Sequence, residues 1–145
     1  MDSASPRVDF YLVDGGEPAR EAFCCRLVEK AYRAGYRVHL RTPDQAAAER
    51  LDSRLWAFRP GSFVPHALLA EAEDEPVTLG ETLPADAGGL LVNLGEAPAL
   101  DACPWSRIAE VAAAGGPELD AARRRFKAYR EAGCEPRHHR IGDAS

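Results

Sequence analysis

Residues 7–57 switch back and forth between two hydrophobic periods, and this alternation constrains the fold more than any other feature of the chain. Arg7–Val13 (Arg-Val-Asp-Phe-Tyr-Leu-Val) is a short run rich in β-branched and aromatic residues. Asp14-Gly15-Gly16 ends it as a turn ends a strand. From Pro18 to Ala34 the apolar residues Ala22, Cys25, Leu27, Val28, Ala31 and Tyr32 recur at helical steps, and Gly35 is placed to close that helix. Tyr36–Arg41 alternates again as a second strand. Thr42 then reads as an N-cap, with Pro43 at the first helical position. The helix it opens runs to about Ala57, with Ala47, Leu51, Leu55 and Trp56 as its apolar stripe. Strand, helix, strand, helix at this spacing predicts a βαβα unit, and hence a parallel sheet with right-handed crossovers.

The rest of the chain extends this pattern. Pro76–Leu79 and Gly89–Leu94 read as strands, the second a continuous apolar run of the kind a sheet buries on both faces. Arg107–Val111 is a weaker strand, and Pro117–Ala132 a final helix closed by Gly133. The fold class that follows is α/β: a three-layer, Rossmann-like domain with a mainly parallel sheet and a C-terminal helix. The 145 residues fit one domain, with about 1–6 and 135–145 expected as flexible ends. Met1–Val8 has no apolar leader, and no run approaches the ~18 apolar residues of a membrane span. The expected location is the cytoplasm.

Charge and motifs exclude several function classes. A net charge of −5 argues against a nucleic-acid backbone as the main partner. The turn Asp14-Gly15-Gly16-Glu17-Pro18 lacks the G-x-G-x-x-G spacing and the P-loop lysine, and Glu17 would repel a phosphate at the helix start. No nucleophile elbow or H-E-x-x-H stretch is present, and the carboxylates show no obvious pairing along the chain. His39 reads as a strand residue rather than a base. Cys24, Cys25, Cys103 and Cys134 have no zinc-ligand spacing. Cys134 with His138 and His139 is the one cluster of ligand types, and it sits in a polar tail. The expectation is therefore free thiols, no metal, no cofactor and no catalytic residue.

Two segments stand out instead. Leu55–His66 carries Trp56, Phe58 and Phe63 with Pro60 and Pro65 across a helix end and the loop after it. Stiff, aromatic loop residues are the composition of a protein-binding hot spot. Arg123–Arg130 (Arg-Arg-Arg-Phe-Lys-Ala-Tyr-Arg) places five bases within eight residues of an acidic chain. At helical spacing Leu119, Ala122, Phe126 and Tyr129 form an apolar stripe, with Arg123, Lys127 and Arg130 beside it. Guanidinium groups flanking an aromatic ring suit a carboxylate with an apolar side chain next to it.

With the opening Asp9-Phe10-Tyr11-Leu12, the run Leu51–Trp56, and Ser62-Phe63-Val64-Pro65-His66, this basic helix and Gly133 make an ordered set of motifs. The set resembles the chi subunit family of bacterial DNA polymerase III over nearly the whole chain. The resemblance implies a non-catalytic replisome adaptor on a Rossmann-like fold that has lost nucleotide binding. It also implies two partners. One is the psi subunit, which tethers chi to the clamp loader. The other is the acidic, Phe-ending C-terminal tail of single-stranded DNA-binding protein. By motif match the tail site falls on Arg123, Phe126, Lys127 and Arg130. The psi surface, which a helicase partner uses in some relatives, falls on Trp56, Phe63, Val64 and Pro65. Leu119 stands where some relatives carry a base, and Phe126 where tyrosine is common. Two other readings compete: a nucleotide-binding regulator or enzyme, argued from the fold class alone, and direct single-stranded DNA binding by the arginine cluster.

Overall fold

The computed structural model of the chain describes residues 6–57, 63–84, 89–95, 97–98 and 105–142. Its strands are β1 (Arg7–Val13), β2 (Val38–Arg41), β3 (His66–Leu68), β4 (Val77–Gly80), β5 (Leu90–Asn93), β6 (Arg107–Ala113) and β7 (Arg137–Ile141). The helices are α1 (Gly16–Arg33), α2 (Gln45–Ala57) and α3 (Gly116–Glu131), with a short 3-10 turn at Leu69–Glu71. The strands form one sheet in the order β3-β4-β2-β5-β6-β1-β7. Every neighbouring pair runs parallel.

The two faces of this sheet bury different sequence parities. Val13, Val38, Leu40, Leu90 and Val92 point to one side, where Cys24, Cys25 and Val28 of α1 and Ala48, Leu51 and Leu55 of α2 cover them. Val8, Phe10, Leu91 and Ile108 point to the other, against Ala122 and Tyr129 of α3 and Trp105. Fully burying each large side chain contributes about 1.5–3 kcal/mol, so alternate residues of β1 and β5 serve opposite layers. The result is a three-layer, Rossmann-like α/β arrangement with α3 alone on its side among the described helices.

Two helix ends follow the predicted glycine logic. Gly35 and Gly133 have φ of 95° and 98°, a region open to glycine and strained for other residues. After α3, Gly133 N donates to Arg130 O and Cys134 N to Tyr129 O, the paired bonds of a Schellman turn. That turn reverses the chain and delivers it to β7.

Three local expectations are corrected. The cap of α2 is Asp44, whose Oδ1 accepts from Ala47 N at 2.8 Å; the Thr42 hydroxyl instead donates to Asp44 O. Arg107–Val111 is no weak strand: β6 is seven residues long with a fully buried centre, its alternation hidden because both faces are covered. Finally, residues from 135 on are not simply a polar tail, because Arg137–Ile141 pairs with β1 along its length. Backbone pairing with β1 and the packing of Ile141 against the core hold this edge strand, and polar side-chain contacts add to them. Arg140 donates to both oxygens of Asp14 at 2.7 and 3.0 Å, and His139 Nε2 contacts Asp9 Oδ1 at 2.9 Å. His139 also stacks on Tyr11, with ring centroids 5.1 Å apart.

Candidate functional site

The run Arg123–Arg130 divides by helix face. Arg123 and Lys127 are exposed and only loosely tied, to Asp120 at 3.7 Å and to Glu131 at 4.0 Å. Arg130 is exposed as well. Arg125 goes the other way and is buried. Its Nε donates to Glu110 Oε1 at 2.8 Å. Glu110 Oε2 accepts from Tyr129 Oη at 2.6 Å and from Asn93 Nδ2 at 2.9 Å. Burial pushes the Glu110 carboxyl above its ordinary range, while the Arg125 charge and the donors from Tyr129 and Asn93 oppose that shift. These partners are all donors, the pattern an ionised carboxylate accepts. The network ties the middle of α3 to β5 and β6, so the exposed bases stand on a rigid support.

Phe126 lies between these two worlds. Its ring packs 5.2 Å from Phe10 and 6.2 Å from His138, and it is partly exposed. On one side of it lies a shallow basic face lined by Arg123, Phe126, Lys127, Arg130 and Glu131. On the other lies a groove of about 530 Å³. Phe10 and Leu12 of β1 line that groove with Leu119, Ala122, Arg123 and Phe126 of α3. His138 and Arg140 of β7 line it too. The structure thus brings Arg123, Phe126, Lys127 and Arg130 together on one surface, as the sequence predicted. In the sequence Arg125 reads as one of the basic run with no assignment to the core, and His138 only as a neighbour of Cys134 and His139; neither His138 nor Arg140 is placed at this groove. Arg125 was detectable: it falls three residues after Ala122 and four before Tyr129, inside the apolar stripe.

The second surface is aromatic. Trp56 and Phe63 are 55% and 62% exposed, and their rings lie 5.6 Å apart. The Trp56 ring also sits 4.4 Å from that of His66. His66 is itself buried, with Nδ1 2.6 Å from Val64 O and Nε2 3.1 Å from Asp52 O. Val64 belongs to the core at 4% exposed, which removes it from the surface it was grouped with; Pro65 is half-buried. Phe58 and Pro60 lie outside the described residues.

Neither surface is the crevice where this fold class binds nucleotides. That crevice opens at the carboxyl ends of β1 and β6, where α1 and α3 leave on opposite faces. Here it is lined by Asp14, Gly15, Gly16 and Glu17 after β1, and by Ala114, Gly115 and Glu118 after β6. Three carboxylates and, among the described residues, no basic side chain line these two helix starts. That lining is unfavourable for a phosphate even though Arg140 and Arg20 pair with Asp14 and Glu17.

Other titratable groups are engaged structurally. His39 is buried, with Nδ1 2.8 Å from Thr78 Oγ1 and Nε2 2.8 Å from Thr82 O, and burial pushes it down to about 4. Burial also raises the Cys24 thiol, and it pushes Cys25 up to about 11, both free in the α1 layer. Several carboxylates are ion-paired: Glu21 of α1 with Arg50 and Arg54 of α2, and Asp9 with Arg7 of its own strand, Arg107 of β6 and His139 of β7. Among the described residues no three metal-ligating side chains converge, Cys134, His138 and His139 included. Nor is any described helix long and apolar enough to cross a membrane.

These features define a class: a Rossmann-like parallel α/β protein with an acidic crevice and with its basic groove and aromatic patch placed elsewhere. The family model described as DNA polymerase III chi subunit, HolC, matches residues 6–137. The chain is 42% identical over 138 residues to the DNA polymerase III subunit chi of Pseudomonas aeruginosa, covering 93% of this chain and 96% of that relative. It is 32% identical over 133 residues to the Escherichia coli subunit chi, covering 86% and 90% respectively. A Haemophilus influenzae subunit chi matches at 36% over 59 residues, 41% of each chain. The chain belongs to the DNA polymerase III chi subunit family, and so to the proteins of DNA replication.

Proposed function

We propose that this protein is a non-catalytic adaptor of the replisome, a single cytoplasmic domain that captures the acidic C-terminal tail of single-stranded DNA-binding protein. The observation that carries this reading is the α3 surface. Arg123, Lys127 and Arg130 stand exposed around Phe126, beside a groove floored by Phe10 and Leu12. A peptide with several carboxylates and an apolar end matches that pairing of charge and apolar surface. The acidic crevice at Asp14, Glu17 and Glu118 disfavours the competing nucleotide reading.

The exposed pair Trp56 and Phe63 supports a second contact, with psi or a helicase-type partner. Large exposed aromatics in contact with each other are the usual core of a binding patch. Val64 is buried in the core, so the patch as proposed consists of Trp56, Phe63 and the half-buried Pro65.

The test is a titration of a labelled acidic peptide ending in phenylalanine, at low and then rising salt. Binding that weakens with salt, and that is lost in Arg123→Glu and in Phe126→Ala, is the expected result. No binding at low salt would overturn the tail reading.

A further inference from the structure

We infer that β7 supplies the second wall of the peptide site, and that Arg140 recognises the terminal carboxylate of the bound acidic peptide together with Arg123. The inference deepens the tail-binding reading above and rests on it. The groove beside Phe126 has one wall from α3 (Leu119, Ala122, Arg123, Phe126) and the other from β7 (His138, Arg140), over Phe10 and Leu12. Its volume of about 530 Å³ falls in the ~300–1,000 Å³ range of small-ligand pockets. An aromatic side chain therefore has room to enter.

In a peptide's last residue the side chain and the free carboxylate leave the same Cα. A ring seated on Leu12, over the buried Phe10 and beside Phe126, leaves that carboxylate at the rim, where Arg123 and Arg140 stand on opposite walls. Arg140 is oriented for this in advance. Its Nε and Nη2 are held by the two oxygens of Asp14 at 3.0 and 2.7 Å. Those bonds occupy one edge of the guanidinium fork and leave Nη1 for a ligand. Asp14 is thus a positioning residue, and the edge strand carries a fixed cation into an apolar groove. His138, edge-on to Phe126 with centroids 6.2 Å apart, closes the same wall.

The experiment uses the full chain and two labelled synthetic peptides, identical in their acidic residues and final phenylalanine. One ends in a free carboxylate and the other in an amide. Arg140→Gln is expected to weaken the carboxylate peptide roughly tenfold and to leave the amide peptide within about twofold, the loss expected of one charge-assisted bond. Arg140→Lys, which keeps the charge but loses the fork, is expected to fall between. Because the Arg140–Asp14 pair is on the surface, thermal unfolding of Arg140→Gln should match the wild type closely. If the wild type binds the carboxylate peptide and Arg123→Glu abolishes that binding, yet Arg140→Gln matches the wild type, the β7 inference is overturned and the tail reading stands. Equal weakening of both peptides by Arg140→Gln also overturns it. If the wild type binds neither peptide, the tail reading itself fails.

Discussion

Arg125 Nε donates to Glu110 Oε1 at 2.8 Å, from the middle of the most basic stretch of the chain into the core of the sheet. The bond makes one arginine of the run structural while its neighbours remain at the surface. It predicts that Arg125→Met lowers the unfolding free energy by ~3–5 kcal/mol, because Glu110 stays buried without its guanidinium partner and must either bear an uncompensated charge or take up a proton. Adding Glu110→Gln removes that ionisable group and should restore part of the loss. Urea unfolding of the single and double variants checks this, and a double variant less stable than the single would contradict it.

The two arginines on either side of the 123–124 peptide bond should behave differently in peptide binding. Arg123 lines both the basic face and the groove, whereas Arg124 lines neither. Arg123→Ala is expected to cost on the order of 1–3 kcal/mol of peptide affinity, the scale of a lost charge-assisted bond. Arg124→Ala should change it by less than about 0.5 kcal/mol. Anisotropy titrations at one fixed salt concentration make the comparison; equal losses would mean that only the net charge of α3 matters.

Phe63 and Val64 make a second pair of neighbours with opposite fates. Phe63 is 62% exposed and Val64 4%. Val64→Ala should destabilise the fold by about 2 kcal/mol through lost burial and the cavity left behind. Phe63→Ala should leave stability within about 1 kcal/mol and act instead on the proposed capture of psi or a helicase partner. Chemical denaturation together with a binding assay against purified psi separates the two effects.

His39 sets an acid limit on the fold. Burial depresses it from 6.5 to about 4, so between those values the unfolded chain holds more protons than the folded one. Its contribution is complete above the unfolded value and is lost as pH falls toward the folded one. At about pH 4.5 the deficit should reach roughly 2–3 kcal/mol at ~1.4 kcal/mol per unit. His39→Gln should flatten that part of the stability profile, measured by urea unfolding from pH 7 to 4.5. An unchanged slope in the variant would assign the acid loss to another group.

Much of this architecture was legible from local pattern alone. The period changes over residues 7–57 place β1, α1, β2 and α2, and the Arg123–Arg130 spacing predicts which face of α3 carries charge. What was not legible depended on partners distant in sequence. Arg137–Ile141 has no apolar alternation, and it is a strand because β1 offers a parallel ladder while Asp9 and Asp14 hold His139 and Arg140. β3 is three residues long, too short for any period to register. The groove wall was hidden for the same reason, since His138 and Arg140 read as tail residues until β7 is placed beside β1.

The register of β1 against β7 has a consequence in time. Phe10 pairs with His138 and Leu12 with Arg140, so floor and far wall of the groove come from segments more than a hundred residues apart. Contacts of such sequence separation form late, after the loop between them has been closed. On a ribosome, where the amino-terminal part emerges first, β1 and the α1 layer can assemble while the groove still lacks a side. A nascent chain therefore has no complete groove until Arg137–Ile141 has emerged, so the proposed tail capture would begin only once β7 is in place.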